Sequence, residues 1–419
     1  MGKSFISTII FVMLSVFLLV DAINGYFLIS LGLDTKISVL YKGVLLTLLF
    51  FYLLLYKPRI VILILCFCLF LILGEAITVL ILQSSGNQTE FLLQHIIKVV
   101  SPFLLLCFLF HREGLDQKFY KKLDLVLGGN CVIFIANILA GIFGYGYSTY
   151  GGSVSESSIG VKGFFYAGNE ISAILVVFAG LYLGKAYAKS KMIFIMVAIF
   201  WMIVGFSIST KTAILAVSLL VLATPLLFEG RKIFLLNNLP SVVFMAGLAL
   251  LVFQSVSFYM IFKETALYGR MDFFFRNHGV IGVILSGRDL YTYAMWQDFQ
   301  SSASVFNMIF GNGISYYADR TVYSTELDFA DMFFWHGMSG VFISLFIFSA
   351  LSAYAVKHCT EAQYLFARTV LLTNFLLLFI ANLSGHIFTS GMLAFLWPCF
   401  AIIAKRRTFC GYPVGRVTG

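Results

Sequence analysis

The sequence is poor in charge, because Asp, Glu, Lys and Arg together make up 11% of its 419 residues. A soluble domain carries about 25% of these residue types, so a water-soluble globule of this size is excluded. Proline is also scarce, with six residues, and no proline-rich linker divides the chain. Hydrophobic residues instead make up 60% of the sequence, with 46 Phe and a mean hydropathy of +0.96. The composition therefore predicts a membrane protein.

Apolar runs long enough to cross a bilayer recur along the chain. A transmembrane helix needs roughly 20 apolar residues to cover about 30 Å of hydrocarbon. We predict an all-α, polytopic integral membrane protein with about twelve transmembrane helices in a single domain, residues 1–419. The predicted spans lie at about 5–20, 39–56, 60–82, 91–110, 123–143, 169–187, 192–208, 213–228, 239–262, 332–356, 364–383 and 387–404.

The distribution of Lys and Arg predicts the orientation of these spans. Connections on alternate sides hold 18 of the 28 Lys and Arg residues, whereas the short loops on the other side hold few. Basic connections stay in the cytoplasm, so both termini are expected there. The outer side then has one large loop, residues 263–331, and a second loop, residues 144–168. We expect the chemistry of the protein in or beneath these two loops.

Cysteine and the net charge exclude two further classes of protein. The seven Cys fall within predicted spans or on the cytoplasmic side, so no disulfide framework is expected. The formal net charge is +9, but the basic residues form short patches between apolar runs. This is the pattern of the positive-inside rule, and it argues against nucleic acid as a partner.

Ionisable residues in spans and turns are functional candidates, because charge is costly inside a membrane. Glu75 and Lys98 lie in consecutive predicted spans, where an internal ion pair and a substrate role are both open. Asn169 and Glu170 begin a span on the outer side, where exposed helix amides attract anions. Glu170 is expected to cap the helix or to pair with Lys211. Lys211 at a helix start indicates a negative group nearby, with a snorkelling lysine as the alternative.

The large loop combines cations, acids and aromatic side chains. Arginine binds diphosphate bidentately and stays charged, and aromatic faces beside carboxylates commonly bind sugars. The loop residues with these properties include Arg270, Arg276, His278, Arg288, Trp296, Glu326, Asp328 and Asp331. This combination makes a sugar-binding site one interpretation of the loop, while an aromatic belt at the membrane surface is the better interpretation of any single ring.

Five strings between about residues 160 and 390 resemble motifs of the O-antigen polymerase and ligase superfamily of bacterial membrane glycosyltransferases. They occur in order, within the predicted outer loops and turns: GFFYAGNEIS (163–172), SISTKTA (207–213), SGR (286–288) followed by GNG (311–313), ELDFAD (326–331) followed by GMSG (337–340), and GHIFTS (385–390). The ligase branch typically has a His-Asn pair before the Gly-x-x-Gly motif, and Glu326-Leu327 stands in that place here. The resemblance therefore favours the polymerase branch.

The resemblance implies a polymerase of O-antigen or a related surface polysaccharide in the bacterial inner membrane. Such an enzyme transfers the growing glycan from undecaprenyl diphosphate to the next lipid-linked repeat unit on the periplasmic face. A ligase acting on lipid A-core and a polysaccharide-lipid flippase or transporter are the alternatives. The implied partners are the lipid-linked oligosaccharide, membrane lipid, a chain-length regulator and a flippase. No cofactor and no metal site are expected.

The resemblance also implies residue roles. Arg288, in the best-matched string, is the expected principal cation on the leaving diphosphate. Glu326 is the expected base, because it stands where the ligase branch has His. Asp328 and Asp331 are expected beside it in the catalytic group. The expected substrate-binding residues are Lys211 and His386, which hold the diphosphate, and Arg270, Arg276, His278, Asn169, Trp296 and His336.

Overall fold

The structure, a computed structural model, describes residues 2–82, 89–116, 118–150, 159–166, 168–230, 266–302, 304–318, 320–361, 364 and 366–406. Most of them are helical. The helices are α1 (Gly2–Leu31), α2 (Ile37–Tyr56), α3 (Pro58–Leu82), α4 (Thr89–Glu113), α5 (Phe119–Ile142), α6 (Gly168–Lys189), α7 (Lys191–Ile208), α8 (Lys211–Glu229), α9 (Ala266–Leu285), α10 (Arg288–Ser301), α11 (Val305–Phe310), α12 (Ile314–Ala318), α13 (Asp328–His358), α14 (Ala367–Ala381) and α15 (Leu393–Ala401). The strands are β1 (Tyr147–Tyr150) and β2 (Ile159–Gly163).

Within the described part of the chain, nine helices are long and apolar enough to cross a membrane: α1 to α8 and α13. Two shorter apolar helices, α14 and α15 with its 3-10 extension (Ile402–Lys405), coincide with the last two predicted spans. The prediction of a helical, multi-pass architecture is confirmed at this level. The predicted span at about 239–262 lies outside the described residues, and the count of twelve stays a prediction.

Helix α6 forms the centre of the bundle. Of its 18-residue apolar stretch, 83% is buried inside the protein, whereas the value is 22% for α2 and for α3. Gly180 and Gly184 of α6 face Thr373 and Thr369 of α14, and a Cβ atom at Gly180 would lie 2.2 Å from Thr373 Oγ1. Small residues spaced four apart let helix backbones approach closely in a membrane, so α14 packs directly on α6.

Ion pairs join the helices at one end of the bundle. Asp124 on α5 lies 2.9 Å from Lys185 Nζ and 2.8 Å from Arg406 Nη1. Two further pairs at this end are Lys191–Glu229 and Lys405–Glu113. The basic members of all these pairs belong to connections that the charge distribution predicts on the cytoplasmic side.

A β-hairpin follows α5 within the loop at 144–168. Strands β1 and β2 pair antiparallel, with Ser148 opposite Val161. The hairpin is fixed to the helix ends beneath it: Asn137 Nδ2 donates to Lys162 O (2.8 Å), and Thr149 Oγ1 donates to Ile208 O (2.7 Å). The hairpin was not predicted from the sequence. It places Tyr150 beside the start of α8.

Helix α13 is broken at Gly337, whose φ is 62°. The break leaves two carbonyls without their helical partners, and the 311–313 turn binds them: Asn312 N donates to Phe334 O (2.9 Å) and Gly313 N donates to Trp335 O (3.1 Å). A Cβ atom at Gly337 would lie 2.6 Å from Ile309 O. The glycines of two strings that are separate in the sequence therefore allow one backbone-to-backbone contact.

Candidate active site

A cavity of about 330 Å³ lies at the end of the bundle opposite the ion pairs described above. Its walls come from the hairpin, α6, α8, the junction of α9 and α10, the segment before α13 and the turn after α14. The lining residues are Tyr150, Asn169, Thr210, Lys211, Thr212, Leu215, Val283, Ile284, Ser286, Arg288, Tyr291, Glu326, Leu383 and Ser384. All of these belong to connections, or to span ends next to them, that the sequence predicts on the outer side.

Arg288 begins helix α10 and reaches across the cavity. Its Nη2 donates to Glu326 Oε2 at 2.9 Å, and its Nη1 lies 3.3 Å from both Leu383 O and Leu285 O. The Arg288 side chain is 12% exposed, whereas that of Glu326 is 42% exposed. Nε of Arg288 is buried and has no hydrogen-bond partner within the described part of the chain. The guanidinium is therefore held firmly, and the carboxylate on its open side is accessible to solvent.

Glu326 occupies a strained backbone position. Its φ is 58°, a value that residues other than glycine rarely adopt. Gly385 packs against it so closely that a Cβ atom there would lie 2.3 Å from Glu326 O. Contact with the 383–390 turn therefore fixes the backbone, and the carboxylate projects toward Arg288.

Positive φ values outside glycine concentrate around this cavity. Among the described residues they occur at Lys36, Ser209, Ser286, Glu326 and His386. Ser286 and Glu326 line the cavity, and Ser209 and His386 lie within two residues of lining residues. Each such conformation costs about 1–3 kcal/mol and persists where surrounding contacts impose it, most often at functional sites.

Lys211 enters the cavity from the first turn of α8. Thr210 caps this helix, with its Oγ1 accepting from Ala213 N (3.1 Å) and lying 2.8 Å from Ser172 Oγ of α6. The Lys211 ammonium donates to the carbonyl of Val283 on α9. This bond joins the start of α8 to α9 and holds the Lys211 ammonium at the cavity wall.

Asn169 lines the cavity from the start of α6, as the sequence predicts. Its neighbour Glu170 binds elsewhere: it accepts from Met392 N (3.2 Å) and from the hydroxyl of Ser390. Glu170 therefore binds the segment that leads into α15, which is a different contact from the expected cap of its own helix.

Asp328 lies behind the cavity wall and is 1% exposed. Its Oδ1 accepts from His386 N (2.6 Å), and its Oδ2 accepts from Ile387 N (2.6 Å) and Phe388 N (3.1 Å). These bonds hold residues 386–388 in the turn after α14, and α15 begins beyond it at Leu393. Asp328 is therefore a positioning residue for this turn, and the half-buried His386 is held through its backbone amide.

Asp331 is likewise buried and shapes the segment that carries Glu326. It accepts from Ser324 Oγ (2.7 Å), from Thr325 N (2.5 Å) and from Thr325 Oγ1 (2.8 Å). Asp331 therefore fixes the segment just before Glu326. Asp328 fixes residues 386–388, next to the Gly385 that contacts Glu326. Neither lines the cavity as the structure describes it.

His336 and Glu75 lie deeper, around the break in α13. Nε2 of His336 lies 3.0 Å from Nε2 of His95, and both rings are buried. Glu75 accepts from Ile314 N (3.0 Å) and Ser315 N (2.7 Å), so it caps α12. Of the two alternatives left open for Glu75, an ion pair and a substrate role, neither describes this contact, in which two helix amides stabilise the carboxylate.

The remaining loop candidates lie away from the cavity. Trp296 stacks on Phe299, with ring centroids 6.0 Å apart, on another face of α10. Arg276 pairs with Asp272 at 2.8 Å on the exposed side of α9, and the His278 ring lies 6.4 Å from the ring of Phe274 on the same helix. The side chain of Arg270 lies outside the described residues.

Lys162 of the hairpin is not among the described lining residues either. Its Nζ donates to Tyr166 O (2.7 Å) and lies 5.3 Å from the centroid of the Tyr147 ring. Burial lowers the pKa of Lys162. The described cations that line the cavity are therefore Lys211 and Arg288.

The lining residues that sequence reasoning missed are Tyr150, Leu215, Val283, Ile284, Leu383 and Ser384. Ser384 and Leu383 directly precede the GHIFTS string, so their position was a usable signal, whereas Tyr150 gave none. Among the described residues, no group of three or more His, Cys, Asp or Glu is placed to hold a metal ion.

The fold and the cavity define a multi-pass helical membrane protein with a cationic cavity at one end of its bundle. In comparisons with known proteins, no family model and no curated protein matches this chain. The cavity itself combines two cations, one accessible carboxylate and an apolar wall of Leu215, Val283 and Ile284. This set of groups suits an anion that carries an apolar chain.

Proposed function

We propose that this protein is a glycosyltransferase that polymerises the repeat units of a bacterial surface polysaccharide carried on undecaprenyl diphosphate. The observation that carries the proposal is the Arg288–Glu326 pair, with Lys211 beside it, in a cavity walled by apolar residues. Two cations match a diphosphate, an accessible carboxylate matches a general base, and the apolar wall matches the start of an isoprenoid chain.

The reaction follows from these groups. The bond between the anomeric carbon of the growing chain and its diphosphate oxygen breaks, and undecaprenyl diphosphate leaves with the bonding electrons. Arg288 and Lys211 stabilise the negative charge that develops on this leaving group. A hydroxyl of the next lipid-linked repeat unit forms the new bond to the anomeric carbon. Its proton passes to the carboxylate of Glu326.

The ion pair between Arg288 and Glu326 sets the order of two events in this reaction, binding of the donor and release of the base. In the structure, Glu326 occupies the exposed side of the guanidinium that a diphosphate requires. A diphosphate that binds Arg288 displaces the carboxylate, which is exposed enough to turn away. Binding of the lipid-linked donor therefore releases the base at the moment when it is needed.

The placement in the cell belongs to the same proposal. We assign the cavity to the periplasmic face of the inner membrane and both termini to the cytoplasm, because the cavity residues come from the large loop and from the short connections that alternate with the basic ones. Polymerase rather than ligase chemistry is favoured by Glu326 at the position where the ligase branch has His. A chain-length regulator and a flippase that delivers the donor are the protein partners of such an enzyme.

The test is deletion of the gene in the source bacterium, with complementation by variants and gel analysis of the polysaccharide. For an O-antigen polymerase, deletion leaves core carrying a single repeat unit. For a ligase, it leaves core alone together with carrier-linked polymer. An unchanged ladder contradicts both activities.

The complementing variants are Arg288→Lys and Glu326→Gln, with Arg320→Lys and Glu90→Gln as matched controls. Arg320 is an exposed arginine of the same loop that packs on Tyr316, and Glu90 is an exposed acid paired with Lys36. We expect the two cavity variants to lose the ladder and both controls to restore it. A ladder that is lost in the controls but normal in the cavity variants would contradict the site.

A further inference from the structure

A second cavity lies on an adjacent face of α10, and we call it the α10 groove. Its volume is about 360 Å³, at the lower end of the range for small-ligand sites. It is lined by Leu285, Asp289, Thr292, Tyr293, Trp296, Leu327 and Phe334. Helix α10 thus presents Arg288 and Tyr291 to the first cavity and a different set of side chains to the groove.

The α10 residues of the groove form one stripe. Positions 289, 292, 293 and 296 have the i, i+3, i+4, i+7 spacing of a single helix face. Such a stripe is normally apolar and packs against a core, yet here it reads Asp, Thr, Tyr and Trp. The buried residues of α10 are Met295 and Phe299, while Tyr293 and Trp296 remain 62% and 40% exposed. This face is therefore available to a ligand.

One of the residues that line the groove has an unsatisfied carboxylate oxygen. Oδ1 of Asp289 is buried and has no hydrogen-bond partner among the described residues. Buried polar atoms are nearly always paired, so such an atom needs a reason. A carboxylate oxygen accepts hydrogen bonds only, and a hydroxyl of a bound ligand would supply the missing donor.

The groove adjoins the first cavity at two points of the backbone. Leu285 lines the groove and Ser286 the cavity, and in the same way Leu327 lines the groove and Glu326 the cavity. Consecutive Cα atoms are about 3.8 Å apart, so these two backbone segments form a common border of the cavity and the groove.

We propose that the α10 groove binds a sugar ring of the glycan whose diphosphate occupies the neighbouring cavity. The apolar C–H face of the ring stacks on Trp296, because these hydrogens carry partial positive charge and the face of an aromatic ring is negative. A hydroxyl of the same sugar donates to Asp289. This inference rests on the proposed function, and it assigns the glycan a binding site separate from that of the diphosphate.

The experiment measures binding of two probes to the purified full chain in detergent, by calorimetry. The first probe is inorganic pyrophosphate, which addresses the cavity. The second is the source bacterium's own surface polysaccharide, released from its lipid by mild acid and free of diphosphate. The groove variants are Trp296→Ala, Trp296→Phe and Asp289→Asn, the cavity variant is Arg288→Ala, and Tyr145→Ala removes an exposed ring of the other loop as the matched control.

We expect Trp296→Ala and Asp289→Asn to weaken polysaccharide binding about tenfold, a loss typical of one stacking contact or one charged hydrogen bond. Both should bind pyrophosphate as the unaltered protein does, which also shows that they fold. Trp296→Phe should restore most of the polysaccharide binding, because it keeps a ring. Arg288→Ala should lose pyrophosphate binding alone, and Tyr145→Ala should change neither.

Equal polysaccharide affinity in the unaltered protein and in Trp296→Ala would overturn the inference. So would a Trp296→Ala variant whose only defect is poorer incorporation into phospholipid vesicles, since that result assigns the ring to the membrane surface. Binding of pyrophosphate without any binding of polysaccharide overturns the groove alone. Failure of the unaltered protein to bind either probe overturns the proposed function as well.

Discussion

Replacing Glu326 with Gln tests two roles of one carboxylate, its ion pair with Arg288 and its proposed action as a base. In the structure Glu326 neutralises Arg288 at 2.9 Å, and in the proposed reaction it accepts the proton of the acceptor hydroxyl. Gln keeps the size of the side chain and removes its charge and its basic oxygen. We expect this variant to bind pyrophosphate more tightly while it loses polymerisation.

The gain in binding can be worked from the geometry. Two unit charges about 4 Å apart interact by about 1 kcal/mol in water and by about 4 kcal/mol at the effective dielectric constant near a protein surface. Because 42% of the Glu326 side chain is exposed, the lower value applies. About 1 kcal/mol corresponds to roughly fivefold tighter binding of the anion. Loss of a general base commonly lowers the rate by about 10²–10⁴.

The assay pairs calorimetric titration of pyrophosphate with gel analysis of the polysaccharide made in cells. Glu90→Gln, which neutralises an exposed acid away from the cavity, should leave both readouts unchanged. Weaker or equal pyrophosphate binding in Glu326→Gln would refute the displacement of Glu326 by the diphosphate. A normal ladder from this variant would remove Glu326 as the base.

Four further outcomes follow from the described contacts. Arg288→Lys keeps the charge but loses the planar fork, so its polysaccharide ladder should be nearly as defective as that of Arg288→Ala. Asp328→Asn places an amide against backbone N–H donors, and the purified protein should lose about 1–3 kcal/mol of stability, seen as a lower melting temperature. Gly337→Ala forces a Cβ atom toward Ile309 at positive φ, and its accumulation in the membrane should fall sharply. Cysteine at Ser301 should react with an impermeant thiol reagent from outside the cell, and cysteine at Lys121 should react after lysis only.

These four outcomes have distinct contradictions. Full activity of Arg288→Lys would mean that charge alone is sufficient at this position. A melting temperature of Asp328→Asn equal to that of the unaltered protein would remove its positioning role. Normal levels of Gly337→Ala would contradict the close backbone contact, and reversed thiol labelling would invert the assigned orientation.

Hydropathy was enough to predict the helical, multi-pass architecture, because burying the backbone in lipid leaves a long apolar run little alternative to a helix. The ends of the helices were harder to predict. Helix α1 was expected to end near residue 20 but continues to Leu31, since Asp21 is paired with Lys42 at 2.7 Å and so need not leave the bundle. The start of the last helix shifted because Asp328 binds the amides at 386–388.

The candidate site was predicted in part. Arg288, Glu326, Lys211 and Asn169 were all chosen from the sequence, and all four line one cavity. The roles of the buried acids were not foreseeable, because they depend on contacts between distant segments. The carboxylate of Glu75 and the amide of Ser315 are 240 residues apart. No local pattern indicates such a contact. The composition showed that the large loop is rich in charged residues, but it did not show which of them share a cavity.

The contact between the 311–313 turn and the break in α13 limits how this protein can be recombined with others. The turn is bound by two carbonyls of α13, and Glu75 of α3 caps the short helix that follows it. The large loop is therefore built into the membrane domain and is not a separate unit on its surface. A chimera that exchanges the large loop must transfer residues 305–340 together with the Glu75 turn of α3 as one module. Grafting the loop alone would separate a carboxylate from its amides and two glycines from the backbone they fit.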